Sequence, residues 1–235
     1  MNFLNKLEKK YRKYAIPNLM YYIVMLYGAG LVIQLFAPMA YWRFLSLDIG
    51  ALMHGQIWRL VTFIIYPPTM GTFVFDSVFF GIISLFLYYS LGVTLERVWG
   101  AFRFNVFFLM GMVGEILAAL VSYFVFHQNL YVTTGFLNFS LFLAFAICFP
   151  DVQFYLFMVI PVKAKWMAIA ESAVYVYSFL VGSASTRCEI VLSLANVILF
   201  FLMTRNYSRI NPKEIHRKQQ FKQQTKIRMP GQPRH

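Results

Sequence analysis

Six apolar stretches, at about 19–36, 73–93, 104–126, 133–149, 166–182 and 189–203, take up nearly half of this 235-residue chain. A hydrocarbon layer about 30 Å thick is crossed by a helix of roughly 20 apolar residues, so each stretch is long enough, or nearly so, for one crossing. With 60% hydrophobic and only 13% charged residues, the chain cannot cover a soluble surface. The expected fold class is therefore an all-α membrane protein, a bundle of six transmembrane helices over 18–203. A basic amphipathic segment at 1–17 precedes it, and a polybasic, largely disordered tail at 204–235 follows.

The segment between the first two stretches, residues 37–72, is semi-polar, rich in Trp and Tyr, and carries Arg43, Asp48, His54 and Arg59. This composition suits a loop lying in the membrane interface better than a crossing. Six crossings place Lys6, Lys9, Lys10, Arg12, Lys13, Arg97, Arg103, Lys163, Lys165 and nine tail residues on one side, and only Arg43, Arg59 and Arg187 on the other. The positive-inside rule then puts both termini in the cytoplasm. Topology and anionic lipids account for the net charge of +12, so nucleic acid is not an expected partner. Phe3, Leu4, Leu7, Tyr11 and Tyr14 recur at helical spacing among the N-terminal lysines, as in a helix lying on headgroups. No small-x-small cleavage site follows, so this segment is expected to be retained.

Helices in lipid associate through small residues and a few hydrogen bonds. Gly111, Gly114, Ala118 and Ser122 form such a stripe on the third stretch. Gly81, Tyr88, Gly92 and Glu96 share a face of the second. Glu96 and Arg97 close that helix, and with Arg103 they predict an ion-paired turn. Asp76 reads as an interfacial residue. Glu115 and Glu171 are ionisable groups within apolar stretches, where such groups are costly and either face the interior beside a polar partner, snorkel or stay protonated. Glu189, Ser193 and Asn196, four and three apart, predict an inward polar stripe on the last helix. Cys148 and Cys188 have no CxxC spacing and no His cluster beside them, so no disulfide, metal site or cofactor is expected.

Three motifs in order carry a family resemblance: "GQIWRLVTFIIYP" at 55–67, with Trp58 and Arg59; "LGVTLERVWG" at 91–100, with Gly92 and Glu96 as Gly-x-x-x-Glu; and "IPVKAKWMA" at 160–168. The chain resembles the rhomboid superfamily of intramembrane proteases, their inactive relatives and the derlins, over roughly residues 55–200. The resemblance implies a rhomboid-like six-helix bundle with a serine at the start of the fourth helix and a histidine on the sixth. Here the serine position aligns with Thr134, followed by Gly135; a shifted register places Leu137 there. The histidine position aligns with Ser193 in "SLAN", and the two oxyanion-binding positions of the second helix align with Phe80 and Ser84.

A hydroxyl needs an adjacent base and oxyanion donors to act as a nucleophile. Nucleophile, base and side-chain donors are all replaced, so the chain reads as a catalytically inactive pseudoprotease, with Thr134 a helix cap. By resemblance, such a protein binds transmembrane clients for membrane-protein quality control, for presentation to a membrane or cytosolic ATP-dependent protease, or for trafficking. Asn138, Ser193, Asn196, Trp58 and Arg59 are the client-binding candidates, and Glu96, Arg97, Gly92, Gly111 and Gly114 the structural ones. The expected location is a bacterial inner membrane, or the endoplasmic reticulum for a eukaryotic chain. Two alternatives stand beside this reading. One is an intramembrane hydrolase using Thr134, Ser140 or Ser193 with Glu115 or Glu171 as base; the other is a small transporter with those two glutamates on an ion path.

Overall fold

The structure, a computed structural model, describes residues 3–66, 74–128, 132–156 and 160–204. All but the first residue of the expected disordered tail lies outside the described residues, as does the side chain of Asp76. Ten helices and a hairpin occur in the order α1 (Phe3–Tyr11), α2 (Leu19–Phe36), α3 (Pro38–Ala40), α4 (Ile49–Met53), α5 (Arg59–Thr62), α6 (Val74–Trp99), α7 (Ala101–Phe126), α8 (Gly135–Cys148), β1 (Gln153–Leu156), β2 (Ile160–Lys163), α9 (Ala164–Val181) and α10 (Ala184–Thr204). Four segments, Leu19–Phe36, Phe79–Trp99, Ala101–Phe126 and Ala184–Met203, are long and apolar enough to cross a bilayer. The chain is thus an all-α membrane protein with one small hairpin.

Several helices outrun their apolar stretches. α6 continues through Glu96 and Arg97, and α7 starts at Ala101 rather than 104, because hydropathy registers only the lipid-facing middle while the hydrogen-bond ladder runs into the interface. Between them stands a single residue, Gly100, at φ +87°. A reversal of two 26-residue helices in so short a turn needs this left-handed backbone, which glycine adopts without strain.

The small-residue stripes lie where helices meet. A Cβ on Gly81 would strike Leu31, and one on Gly92 would strike Met20, so this face of α6 is pressed against α2. Gly111 faces Leu137 and Asn196, and Ser122 shares a hydrogen bond with Ser185, which seats α7 against α10. At one end of the bundle Trp99 packs on Phe107 and Phe200, with ring centroids 5.4 and 4.5 Å apart. The shortest of the six main helices is the most enclosed: ten of the fourteen residues of α8 are buried. Its length of about 21 Å falls short of a hydrocarbon layer.

Charges at the bundle's basic end pair differently from expectation. Arg103, 1% exposed, bonds Glu8 of α1 at 2.6 Å, and Glu96 accepts the Asn18 N–H at 2.6 Å. The predicted turn among Glu96, Arg97 and Arg103 is thus replaced by two contacts that reach the N-terminal segment, about 80 and 95 positions away in sequence. Sequence spacing favoured the near partner; tertiary packing brings a more distant one under the bundle. Leu4 is fully buried, so α1 is docked to α7 and α10 rather than resting only on headgroups, while Lys9, Lys10, Arg12 and Lys13 stay exposed. Glu8→Ala removes charge-assisted bonds worth about 1.5–3 kcal/mol and frees α1. The expected result is faster protease cleavage around residues 10–18 with the bundle's melting point lowered by only a few degrees.

The α2–α6 segment is built of short turns: α3, a π-helical turn at Tyr41–Leu45, α4, α5 and a 3-10 turn at Phe63–Ile65. Asp48 caps α4 by accepting the Ala51 N–H, as short polar side chains do at helix starts. Tyr41 donates to the Phe63 carbonyl at 3.1 Å, and burial pushes its phenol well above the ordinary range, so it remains a donor. Phe36, Met39, Ile57 and Val61 are exposed. The hairpin was not expected. "IPVK" lies in an antiparallel pair with Gln153–Leu156, register Gln153↔Lys163; a strand of four residues gives too little alternation to stand out among apolar neighbours.

Candidate functional site

Several polar residues of the apolar stretches meet at the start of α8. Thr134 is fully buried and Asn138, one turn on, is 1% exposed. Tyr27 of α2 donates to Asn138 Oδ1 at 3.1 Å, Asn138 Nδ2 donates to Thr134 Oγ1 at 3.1 Å, and Thr134 Oγ1 donates to the Tyr66 carbonyl at 2.8 Å. The chain of bonds joins α2, α8 and the end of the interfacial loop, and Leu47 bridges Val132 beside it. In a low-dielectric interior each unpaired polar atom is costly, so this chain also holds the mouth of α8 in place.

Thr134 occupies the N-cap position but makes no capping bond with its side chain. The predicted cap is corrected: the hydroxyl turns away from the helix to the Tyr66 carbonyl, a longer-range acceptor that sequence spacing could not reveal. Thr134→Val keeps the shape and leaves the Tyr66 carbonyl and Asn138 amide unpaired. A loss of about 2 kcal/mol is expected, read as a lowered unfolding midpoint in detergent, with Thr134→Ser close to the parent.

A second group lies on α10. Glu189, Ser193 and Asn196 are 7, 9 and 4% exposed, which places the expected polar stripe inward. Ser193 donates to the Phe136 carbonyl at 2.8 Å, Ser140 donates to the Leu137 carbonyl at 2.7 Å, and Asn196 Nδ2 reaches Ser140 at 3.4 Å. Glu115 of α7 is buried close by, with Oε2 lacking a hydrogen-bond partner. Each of the three hydroxyls weighed as a nucleophile gives its proton to a main-chain carbonyl, which does not act as a base. His54 is tied to the Gly50 carbonyl in the interfacial loop. Among the described residues no group of three or more His, Cys, Asp or Glu could hold a metal ion.

The two positions aligned with oxyanion donors part company. Ser84 is buried in α6, and Phe80 is half-buried, with its ring against Phe79 at 5.6 Å. Trp58 and Arg59 lie in the interfacial loop. Trp58 is half-exposed and donates to the Phe44 carbonyl. Arg59 is buried; its guanidinium donates to Gln56 Oε1, the Ser46 carbonyl and the Arg43 carbonyl. These donors brace the loop and leave Arg59 facing inward, and Asn138 is likewise engaged on both amide atoms.

Tyr27 and Tyr66 escaped sequence reasoning. Tyr27 sits in an apolar stretch with no spacing cue, and Tyr66 contributes only a carbonyl. Tyr175 of α9 was also missed. Its ring lies 4.0 Å from Phe139 and 5.2 Å from Phe136, and it fastens α9 to α8. α6 and α9 each pack against α8. No family model matches the chain, and no curated protein or solved structure is significantly similar to it.

Proposed function

We propose that the chain is an inactive rhomboid-like membrane protein that binds transmembrane segments of client proteins, for quality control, presentation to an ATP-dependent protease or trafficking. One observation carries the reading. At the mouth of a short, central helix, where the resemblance expects a serine activated by histidine, the structure has Thr134 bonded to a main-chain carbonyl and a carboxamide. Here α8 and α9 serve as a fourth and fifth crossing beside the four segments long and apolar enough to cross. In this reading both termini are cytoplasmic, the basic N-terminal residues meet anionic lipid, and the membrane is a bacterial inner membrane or the endoplasmic reticulum. On the same reading a client helix approaches the bundle between α6 and α9, the helices that correspond to the second and fifth of the resemblance.

The test places a photo-crosslinking residue at Ile83 of α6 or Val174 of α9, both outward-facing, in cells expressing the full chain. Capture enriched in single-span membrane proteins is expected. Capture of lipid alone at both positions counts against client binding. Covalent labelling of Thr134, Ser140 or Ser193 by a fluorophosphonate would replace the reading with a hydrolase.

A further inference from the structure

We propose that the carboxylate of Glu171 on α9, with the hydroxyls of Tyr88 on α6 and Tyr175 one turn further along α9, receives a lysine or arginine from the middle of a client's transmembrane helix. This recognition rests on the client-binding reading for the class of partner and adds the side chain that is recognised. α9 turns Ala164, Ala168, Glu171 and Tyr175 toward the bundle at helical spacing, and Tyr175 is seated on Phe139 of α8. Glu171 lies within electrostatic reach of both hydroxyls, so it stands where α9 comes near α6.

These polar groups are open and unpaired. Glu171 is half-buried, both of its carboxylate oxygens keep accessible surface, and it has no hydrogen-bond or ion-pair partner among the described residues. The Tyr88 and Tyr175 hydroxyls likewise make no hydrogen bond among the described residues. Glu115 and Glu189 also act on Tyr175, and neither is ion-paired among the described residues. The interior behind α9 thus holds three carboxyl groups and no cation paired with them. Glu171 lies about 10 Å along the 18-residue α9 from its start, at 1.5 Å per residue. A lipid tail brings no charge to that depth. Nor does a second copy of this chain: the basic residues of α2 and α6 to α10 are Arg97, Arg103, Lys165 and Arg187, each within three residues of a helix end. A mid-span lysine or arginine on another protein is the complement. Each charge is costly in hydrocarbon until it is paired, and the phenol oxygens accept the remaining N–H groups of the cation.

Three synthetic single-span peptides serve as probes, identical Leu/Ala helices with Lys, Leu or Glu at the centre. The full chain, with a photo-crosslinker at the exposed Val174, is reconstituted in phosphatidylcholine vesicles and each peptide is titrated. The Lys peptide is expected to bind about ten-fold tighter than the Leu peptide, the factor for one hydrogen bond to a charged group, and the Glu peptide no tighter than the Leu peptide. Glu171→Gln removes the charge at nearly unchanged volume. It should abolish the preference for Lys and leave capture of the Leu peptide as in the parent. Should Glu171→Gln fail to fold, the ranking of the three peptides on the parent chain decides alone. Equal binding of the Lys and Leu peptides, or a preference for Lys that survives Glu171→Gln, overturns the recognition of a basic residue and leaves client binding standing. Capture of none of the three peptides overturns both.

Discussion

Arg59→Ala is expected to lower stability by about 3–4 kcal/mol, because it strips donors from acceptors inside a folded loop, at about 1–3 kcal/mol for each buried group left unpaired. The guanidinium holds three partners from three places in the loop, the Arg43 and Ser46 carbonyls and the Gln56 side chain. Around it, Trp58 bonds the Phe44 carbonyl and Thr62 bonds the Leu45 carbonyl at 2.9 Å, so each main-chain carbonyl of residues 43–46 accepts from a side chain of Arg59, Trp58 or Thr62. An ammonium offers one compact charge where a planar fork is needed, so Arg59→Lys should recover only a minor part. Unfolding midpoints in detergent, with protease digestion to locate the loosened segment, check both variants. A parent-like Arg59→Ala protein would show that the loop is held by its apolar contacts alone.

Gly92→Ala is the second large effect. A methyl group at this position would overlap the Cβ, Cγ and Sδ of Met20, and the first of these cannot swing aside because it is fixed to the backbone of α2. α2 must then move away from α6, disturbing Met20, Ile23 and Tyr27, which are all buried. Overpacking of this kind costs about 1–3 kcal/mol, and the upper part of that range is expected here. Met20→Ala lowers stability alone by creating space, yet in combination with Gly92→Ala it should restore part of the loss. The double-mutant cycle should therefore show coupling of 1 kcal/mol or more, as directly touching sites do. Additive losses would mean that the two helices do not meet at this point. The same comparison at Gly114, whose Cβ direction is open, should show no such penalty for Ala, which separates helix-contact glycines from one with open space beside it.

Much of this architecture could be read along the chain. Long apolar stretches demand helices in any lipid environment, since only local hydrogen bonding satisfies the backbone there; four of them appear as candidate spans. Gly92 and Gly111 were recognisable as contacts because small residues are the means by which helices approach in lipid. The 189–193–196 stripe was recognisable because polar groups avoid the lipid face. These are properties of single helices, set by residues a turn or two apart.

Partner choice was different. Nothing local indicates that Arg103 bonds Glu8 rather than the neighbouring Glu96, that Arg59 points into its own loop, or that the Thr134 hydroxyl reaches back to the carbonyl of Tyr66 rather than capping α8. Apart from the Arg59–Gln56 bond, each contact spans more than ten residues of sequence, and several involve main-chain atoms that every residue carries. The open space at Gly114 is of the same kind: it lies on the same stripe as Gly111, and only the placement of Leu137 and Asn196 fills one and leaves the other empty. The amino-acid order by itself determined which long segments are helical and which of their faces turn inward, because burial and solvation act residue by residue. Tertiary structure alone decided which inward groups meet, because that depends on how six helices pack at once.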